Sequence, residues 1–462
     1  MELRETPENA ATSCTLLTQE QCTEIFGRVE RAARSRGVPS VEALLSVHSE
    51  ALTRFANNTI HQNVSEEARQ LSVRVVVDQR SARASTNRLD AGAIDDVVEQ
   101  AIALARATEP DPDLLPLAEP APVPVLHRFC RETAACSPEE RARAVAEAIH
   151  LIESAHQTAA GIYSTGQGAE ALFNSQGVSV YHAETLARFS ITAMGSDSSG
   201  WAKASSTGRA AIDPVALARS ASNKATASRE PREIEAGHYT VILEPAAVLD
   251  LLGQMFWDFA ATALADQRSF LTGRLGKRLF GENIHIQDDV VHPLQSGPPF
   301  DGEGVPRRRL GLVESGVPRE VAYSRASAHK AGVAPTGHGF PLPNEYGEAP
   351  LNIVISGGDS SLNEMIAATG RGILVTRLWY IREVDPYEKI MTGMTRDGTF
   401  LIEGGKIAAG VKNFRFNQSL VEMLCNVESL SPAVRTSGEE AFDMVVPGMK
   451  VRDFNFTEVT RF

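Results

Sequence analysis

TRLWYIREVDPYEKIMTGMTRDGTFLIEGGKIAAGVKNFRFN, residues 376–417, decides how the second half of this chain folds. Asp397-Gly398 separates the runs 391–394 and 399–402, and Gly404-Gly405 follows one run later. Both dipeptides accept the positive φ that primed turns demand. The stretch therefore predicts an antiparallel meander with hairpins at both places.

Outward from there, 462 residues are too many for one ordinary core, so two domains are expected. An apolar content of 43% and a charged content of 22% fit a water-soluble globular chain. The net charge of −13 argues against nucleic acid, whose phosphates require a basic face. The basic cluster Arg307-Arg308-Arg309 reads as a solvated loop. Five cysteines (Cys14, Cys22, Cys130, Cys136 and Cys425) form neither a CxxC pair nor an even framework, as expected of reduced thiols. The N-terminus has no apolar signal core, and no run approaches the roughly 20 apolar residues that span a bilayer. A cytoplasmic protein without membrane or nucleic-acid partners is expected.

Residues 1–17 read as a flexible tail, 18–235 as an N-terminal α/β domain with a mixed sheet, and 236–462 as a mainly antiparallel β domain with one long helix. The fold class is α+β. Thr18 with Gln21 opens one helix and Ser137-Pro138 another, both as N-caps; further helices are expected over 91–107 and 214–227. Strands are expected at 43–47, 71–78 and 189–194, and six prolines make 109–124 a strap. The long helix is expected from Pro245 to about Asp266.

The 376–417 segment closely resembles the C-terminal signature of the TldD/PmbA family, peptidase subunits also described as modulators of DNA gyrase. RFANNTIHQNVSEEARQLSVRVVVDQRSARASTNRLD (54–90), LFNSQGVSVYHAETLARFSITAM (172–194) and Ser199-Gly200-Trp201 follow the same pattern. The resemblance runs from about Leu44 to Thr457. In the metal-bearing TldD type it implies a His-Glu-x-x-x-His helix and a cysteine near the C-terminus, which together hold a divalent ion with an activating glutamate. Here the matching helix reads PAAVLDLLGQMFWDFAATALADQ. Leu252 and Trp257 fall near the ligand positions, Ser437 and Gly438 fall near the cysteine, and Cys425 reads as a buried structural thiol. The resemblance therefore points to the TldE/PmbA type. It implies no catalytic residue, metal ligand or cofactor in this chain, and a zinc-like divalent metal in a TldD-type partner.

Other constellations are weaker. Asp250, Asp258 and Asp266 recur every eight residues and read as solvated or capping acids. His329 and His338 sit in a Gly-rich stretch with no paired carboxylate in sequence, Asp288-Asp289 ends a strand, and 356–361 is a turn with Asp359 or Ser360 capping a helix. A binding role remains: Arg377, Tyr380, Arg382, Arg396 and Asn413, with His338, are the candidate peptide-binding or interface residues. The expected unit is a heterodimer with the metal-bearing paralogue, enclosing peptide substrate; the same surface also permits a homodimer. The rival readings are a stand-alone enzyme with metal-independent biosynthetic chemistry and a regulatory binding protein.

Overall fold

The structure, a computed structural model, describes residues 16–460. The expected tail as far as residue 15, including Cys14 and the stretch read for a signal peptide, lies outside the described residues. The fold is α+β.

Hairpins build the first half. Strands β1 (Ser40–Ala56) and β2 (Thr59–Val77) meet through Asn57-Asn58, whose φ values are 50° and 59°. Asp78-Gln79, at 49° and 56°, then turns β2 into β3 (Arg80–Thr86). Such two-residue primed turns return the chain antiparallel. With β4 (Thr158–Asn174), β5 (Ser179–Met194) and β6 (Ser199–Ser206) they form one sheet, in the order β3-β2-β1-β4-β5-β6. Every named pair in it is antiparallel, which corrects the mixed sheet expected here. The short strands expected at 43–47 and 71–78 are parts of strands 17 and 19 residues long.

Side chains alternate across this sheet, as a period of two requires. Val41, Ala43, Leu45, Phe173, Phe189 and Ile191 face the helices Gln19–Ser35, Ala91–Ala107, Pro138–Ser154 and Pro214–Ala227. Thr18 and Ser137 cap their helices with complete capping boxes. The opposite face carries Ser46, His48, Glu50 and Arg54 on β1, beside Glu170 on β4 and His182 and Glu184 on β5. Among the described residues, the strap and the second half of the chain pack on it.

That half contains β7 (Gly237–Leu243), β8 (Ile286–Asp288), β9 (Leu310–Glu314), β10 (Val317–Pro318), β11 (Ile353–Ile355), β12 (Arg371–Asp385), β13 (Ile390–Glu403), β14 (Lys406–Gly410), β15 (Phe414–Ser419), β16 (Val427–Leu430), β17 (Val434–Thr436), β18 (Met444–Val446) and β19 (Met449–Val459). The chain of pairings β12-β7-β19-β15-β13 closes into a ring because β13 also pairs with β12. Parallel pairs occur here, at β7–β12 and β11–β18. Phe414, Phe416, Phe454 and Phe456 stack in the core of this half. Among the described residues no helix is long and apolar enough to cross a membrane.

The single long helix is corrected to three pieces: a helix Pro245–Leu252, a 3-10 turn Gly253–Phe259 and a helix Ala261–Ala265. The helical hydrogen-bond pattern stops because Phe259 O and Ala261 N are engaged instead by Ala322 N and O, at 2.8 and 2.9 Å. Gly253 is required in this run, since a Cβ there would lie 2.1 Å from that of Ala441.

The halves meet through apolar and ionic contacts on the polar face. Leu44, Leu172 and Val180 pack against Ala118 of the strap and Phe300 and Val305 of the second half. Beside them Glu42 lies between Arg74 and Arg83, and Arg83 Nε donates to Leu342 O at 2.6 Å. Glu303, 2% exposed, accepts from Arg325 N at 3.1 Å. Burial, then neighbouring Asp301, pushes its carboxyl up to about 7. A carboxyl whose folded-state pKa is raised contributes its full stability below the unfolded value and loses it as pH rises through the folded value. The window for Glu303 is therefore about pH 4.5 to 7. Glu303→Gln keeps the acceptor without the charge. Urea unfolding should show the variant gaining on the parent by on the order of 3 kcal/mol between pH 5 and pH 8, at about 1.36 kcal/mol per pH unit; a constant difference would remove Glu303 as the source.

Candidate functional site

The β12–β13 pairing shifts register at three places, and the first two shape the site. Val375 pairs with Thr399 but Arg377 pairs with Arg396, so β13 carries one extra residue at Asp397-Gly398. Their φ values, 53° and 124°, satisfy the backbone preference read from the sequence. The hairpin expected there is corrected: Asp397-Gly398 is a kink inside one continuous strand, and only Gly404-Gly405 makes a hairpin, into β14. A Cβ on Gly398 would lie 2.6 Å from Thr376 Oγ1. The second bulge is on β12, where Tyr380 has φ 57° and is thrown outward, 58% exposed.

The first bulge turns the Asp397 carboxylate inward. It accepts from Arg377 Nε at 2.9 Å and also from Arg377 Nη2, from Ser199 Oγ of β6 at 2.7 Å, and lies 3.4 Å from Arg396 Nε. The guanidinium of Arg377 sits 4.8 Å from the Trp201 ring and 5.6 Å from the Trp379 ring, and Arg396 sits 5.0 Å from Trp379. Cations over indole faces are attracted by the ring quadrupole. Aromatic and cationic groups thus alternate where β6 of the first half meets β12 and β13 of the second. A cleft of about 350 Å³ opens there, which Arg54 and His61 also line.

Of the residues singled out in the sequence, Arg377 and Arg396 share this cleft. Tyr380 and Arg382 lie on the same strand, held by Glu440: Tyr380 N donates to its carboxylate at 2.8 Å and Arg382 Nη1 lies 3.6 Å from it. Asn413 faces a different cavity beyond Asp397, where its Oδ1 accepts from Thr395 and Thr399 hydroxyls at 3.2 and 3.0 Å. His338 is elsewhere and sealed. Its Nε2 lies 3.1 Å from Asp288, its Nδ1 lies 2.9 Å from Thr336 Oγ1, and both side chains of the His338–Asp288 pair are 0% exposed. Burial pushes Asp288 up, but His338 outweighs it and holds the carboxyl below its ordinary value. The reading of His338 without a carboxylate partner is corrected; the partner comes from 50 residues upstream. His329 lies apart, on the helix Arg325–Ala331.

Around the expected ligand positions the surroundings are specific. Leu252 is fully enclosed in the apolar core, and Trp257 stacks on Phe340 at 6.0 Å. Neither offers a lone pair suited to a divalent ion, and the residues at these positions do not fit one. Among the described residues no group of three or more His, Cys, Asp or Glu is placed to hold a metal. A cavity of about 360 Å³ lined by Gln254, Trp257 and Asp258 also borders the ammonium of Lys389, 4% exposed between Asp258 and Glu383. Burial raises the Asp258 carboxyl despite that lysine. Asp250 is buried too, pushed up to about 6 by burial, and accepts from Glu439 N and Glu440 N. The solvated reading of Asp250 and Asp258 is therefore corrected, whereas Asp266 is exposed and pairs with Arg268. Cys425 is corrected to an exposed thiol whose Sγ donates to Leu279 O at 3.0 Å. Ser361, rather than Asp359 or Ser360, caps the helix Leu362–Ala367.

A second cleft, of about 240 Å³, lies further along the same polar sheet face. Gly166 and Gly168 leave its β4 floor without side chains, and His48, Glu50, Glu170, His182 and Glu184 surround them. Glu184 accepts from Gly297 N at 2.7 Å and lies 3.5 Å from His182 Nε2. Sequence reading missed this cleft because its residues come from three strands and none forms a motif. Alternation along β1 and β5 was the one available signal.

Profiles of known families match most of the chain: PmbA/TldA metallopeptidase domain 1 over residues 41–105, the central domain over 128–229 and the C-terminal domain over 236–458. The metalloprotease PmbA of Escherichia coli O157:H7 is 25% identical over 82% of this chain and 85% of its own length. A metalloprotease of Methanothermobacter thermautotrophicus is 27% identical over 63% and 67%. Crystal structures of TldE from Thermococcus kodakarensis and of a Thermotoga maritima protein described as a modulator of a DNA gyrase each superpose with a TM-score of 0.84 at 20% identity, covering 94% of this chain and 100% of theirs.

Asp397 makes Arg377 the residue to test. Removing one partner of a buried pair leaves an uncompensated charge and costs about 3–5 kcal/mol. Arg377→Ala should lower stability to urea by about 3 kcal/mol, and Arg377→Ala in an Asp397→Asn background by clearly less. Equal losses in both backgrounds would show that the pair is not coupled.

Proposed function

This chain belongs to the PmbA/TldD metallopeptidase family, and from that premise we propose that it is a TldE-type subunit, pairing with a metal-bearing TldD-type paralogue to form a cytoplasmic peptidase. The observation that carries the proposal is the pair Leu252 and Trp257. Where the family's ligands would fall, one side chain is locked in the core and the other is stacked on an aromatic ring. The buried cation of that region is the Lys389 ammonium, compensated by Asp258 and Glu383. Metal chemistry is then the partner's contribution. This chain supplies a wall of the chamber and a surface that holds peptide.

Two features support the second role. Beyond Val375, β12 pairs only with β13 among the named strands, so residues 376–385 keep one edge toward other partners. Open edges accept extended peptides through backbone hydrogen bonds. The same strand carries Trp379, Tyr380 and Arg382, groups suited to holding side chains of varied kind. The sealed His338–Asp288 pair cannot reach a substrate, which disfavours a stand-alone enzyme built on it.

Co-expression with a TldD-type paralogue from the same genome tests the proposal. The two chains are expected to co-purify as a heterodimer that hydrolyses unfolded peptide only as the mixture and stops with chelator. Hydrolysis by this chain alone, indifferent to partner and chelator, would overturn it.

A further inference from the structure

The two clefts lie on the same polar face of the first sheet, in line along β1, β4 and β5. Ser46, Glu170 and His182 form one row across β1, β4 and β5; Arg54, Ile162 and Ser190 form another, eight residues further along β1. Between them the same face presents Leu52, Ser164, Gly166, Leu186 and Arg188. At about 3.3 Å per residue the rows lie about 25 Å apart. The segment following β17 walls the groove along β5 and β6: Lys203 Nζ donates to Gly438 O at 2.6 Å, and Arg188 lies 3.3 Å from Asp443.

The ends differ in charge. At one, Glu50, Glu170 and Glu184 line the cavity with His48 and His182. Glu184 is already engaged by Gly297 N and His182. Glu170 makes no hydrogen bond or ion pair among the described residues, and its side chain is exposed to the cleft. At the other end Asp397 compensates Arg377, and Glu439 is taken by Lys203. Arg54 has no acidic partner among the described residues, and Arg396 only the already shared Asp397. One end therefore holds a carboxylate without an ion-pair partner, with His182 and Arg307 acting on it only at longer range, and the other a guanidinium without one, with half-buried Leu52, Ile162 and Leu186 between.

We infer that this groove holds an extended peptide of about six to eight residues by both of its termini, the α-ammonium against Glu170 and the α-carboxylate against Arg54 and Arg396. A fully extended chain advances about 3.3–3.6 Å per residue, which matches the span. The backbone floor at Gly166 and Gly168 leaves room for main chain, and the leucines favour small apolar side chains in the middle. The inference rests on the peptide-binding part of the proposed function and narrows it to free-ended oligopeptides, the kind of molecule that prior cleavage of a longer chain releases.

Titration calorimetry on the full chain tests this with a seven-residue peptide of alanine, serine, glycine and threonine in four forms: free, N-acetylated, C-amidated and doubly blocked. The free form should bind, and blocking either end should weaken binding at least tenfold. Glu170→Gln should abolish the penalty for acetylation alone, and Arg54→Gln should reduce the penalty for amidation alone. Both side chains are exposed to the groove, so each variant serves as a folded control for the other end. Failure of the free peptide to bind, equal binding of all four forms, or penalties unchanged in the variants would overturn the inference. The subunit proposal stands or falls separately, on hydrolysis of a long unfolded substrate by the two-chain mixture.

Discussion

The constraint on which the rest depends is the two-residue period of the long antiparallel strands in the first half. Each strand must send alternate side chains to opposite faces, and strands 16 to 19 residues long in β1, β2, β4 and β5 extend that rule over an unusual distance. Helices absorb the apolar face. The other face is left polar, and the second half can cover it only by meeting its charges. It does so where Arg83, paired with Glu42, donates to Leu342 O, where Arg325, paired with Glu303, donates to Pro116 O, and where Ser199 donates to Asp397. What it does not cover is the groove.

Buried charge at such a junction is costly unless compensated, and each instance here is compensated across the junction or beside it. Asp397 gathers two arginines and a serine from the other half. The bulge that delivers this carboxylate also sets Arg377 between two indoles, so one extra residue in β13 fixes both the seam between the halves and the wall of a cleft. The seam and the cleft wall share the same atoms.

Much of the architecture was legible in the sequence because it is written locally. Capping boxes at Thr18 and Ser137, the proline at the start of the helix Pro138–Ser154 and the Gly404-Gly405 hairpin are each decided within a few residues. The Asp397-Gly398 pair was read correctly for its backbone and wrongly for its consequence, since nothing local tells a turn from a bulge; the partner strand decides. The interruptions at Gly253 and at Phe259–Ala261 were hidden for the same reason, since the groups they meet, Ala441 and Ala322, lie far along the chain. Of the candidate residues, Arg377 and Arg396 come together because they are opposite one another on paired strands. Asn413 and His338 do not, because neighbourhood in sequence or in composition is not neighbourhood in a ring of strands. Glu170, His182 and Glu184 escaped notice because a face shared by three strands leaves no spacing to read.

The enclosure of Leu252 bears on what an interior without coordinating side chains must contain. A metal site places polar ligands and a bound ion in the interior and offsets their desolvation by coordination. If the ligands are lost, the vacated interior must be filled by apolar groups or by a charge that carries its own partners. Both occur here: Leu252 joins the apolar core, and Lys389 enters with Asp258 and Glu383 on either side of its ammonium. Lysine is a compact point charge on a flexible stem, able to reach a buried acid without reshaping the strands around it. With its charge compensated by that ammonium, Asp258 accepts from Phe270 N at 3.1 Å through its other oxygen and anchors the segment after the broken helix.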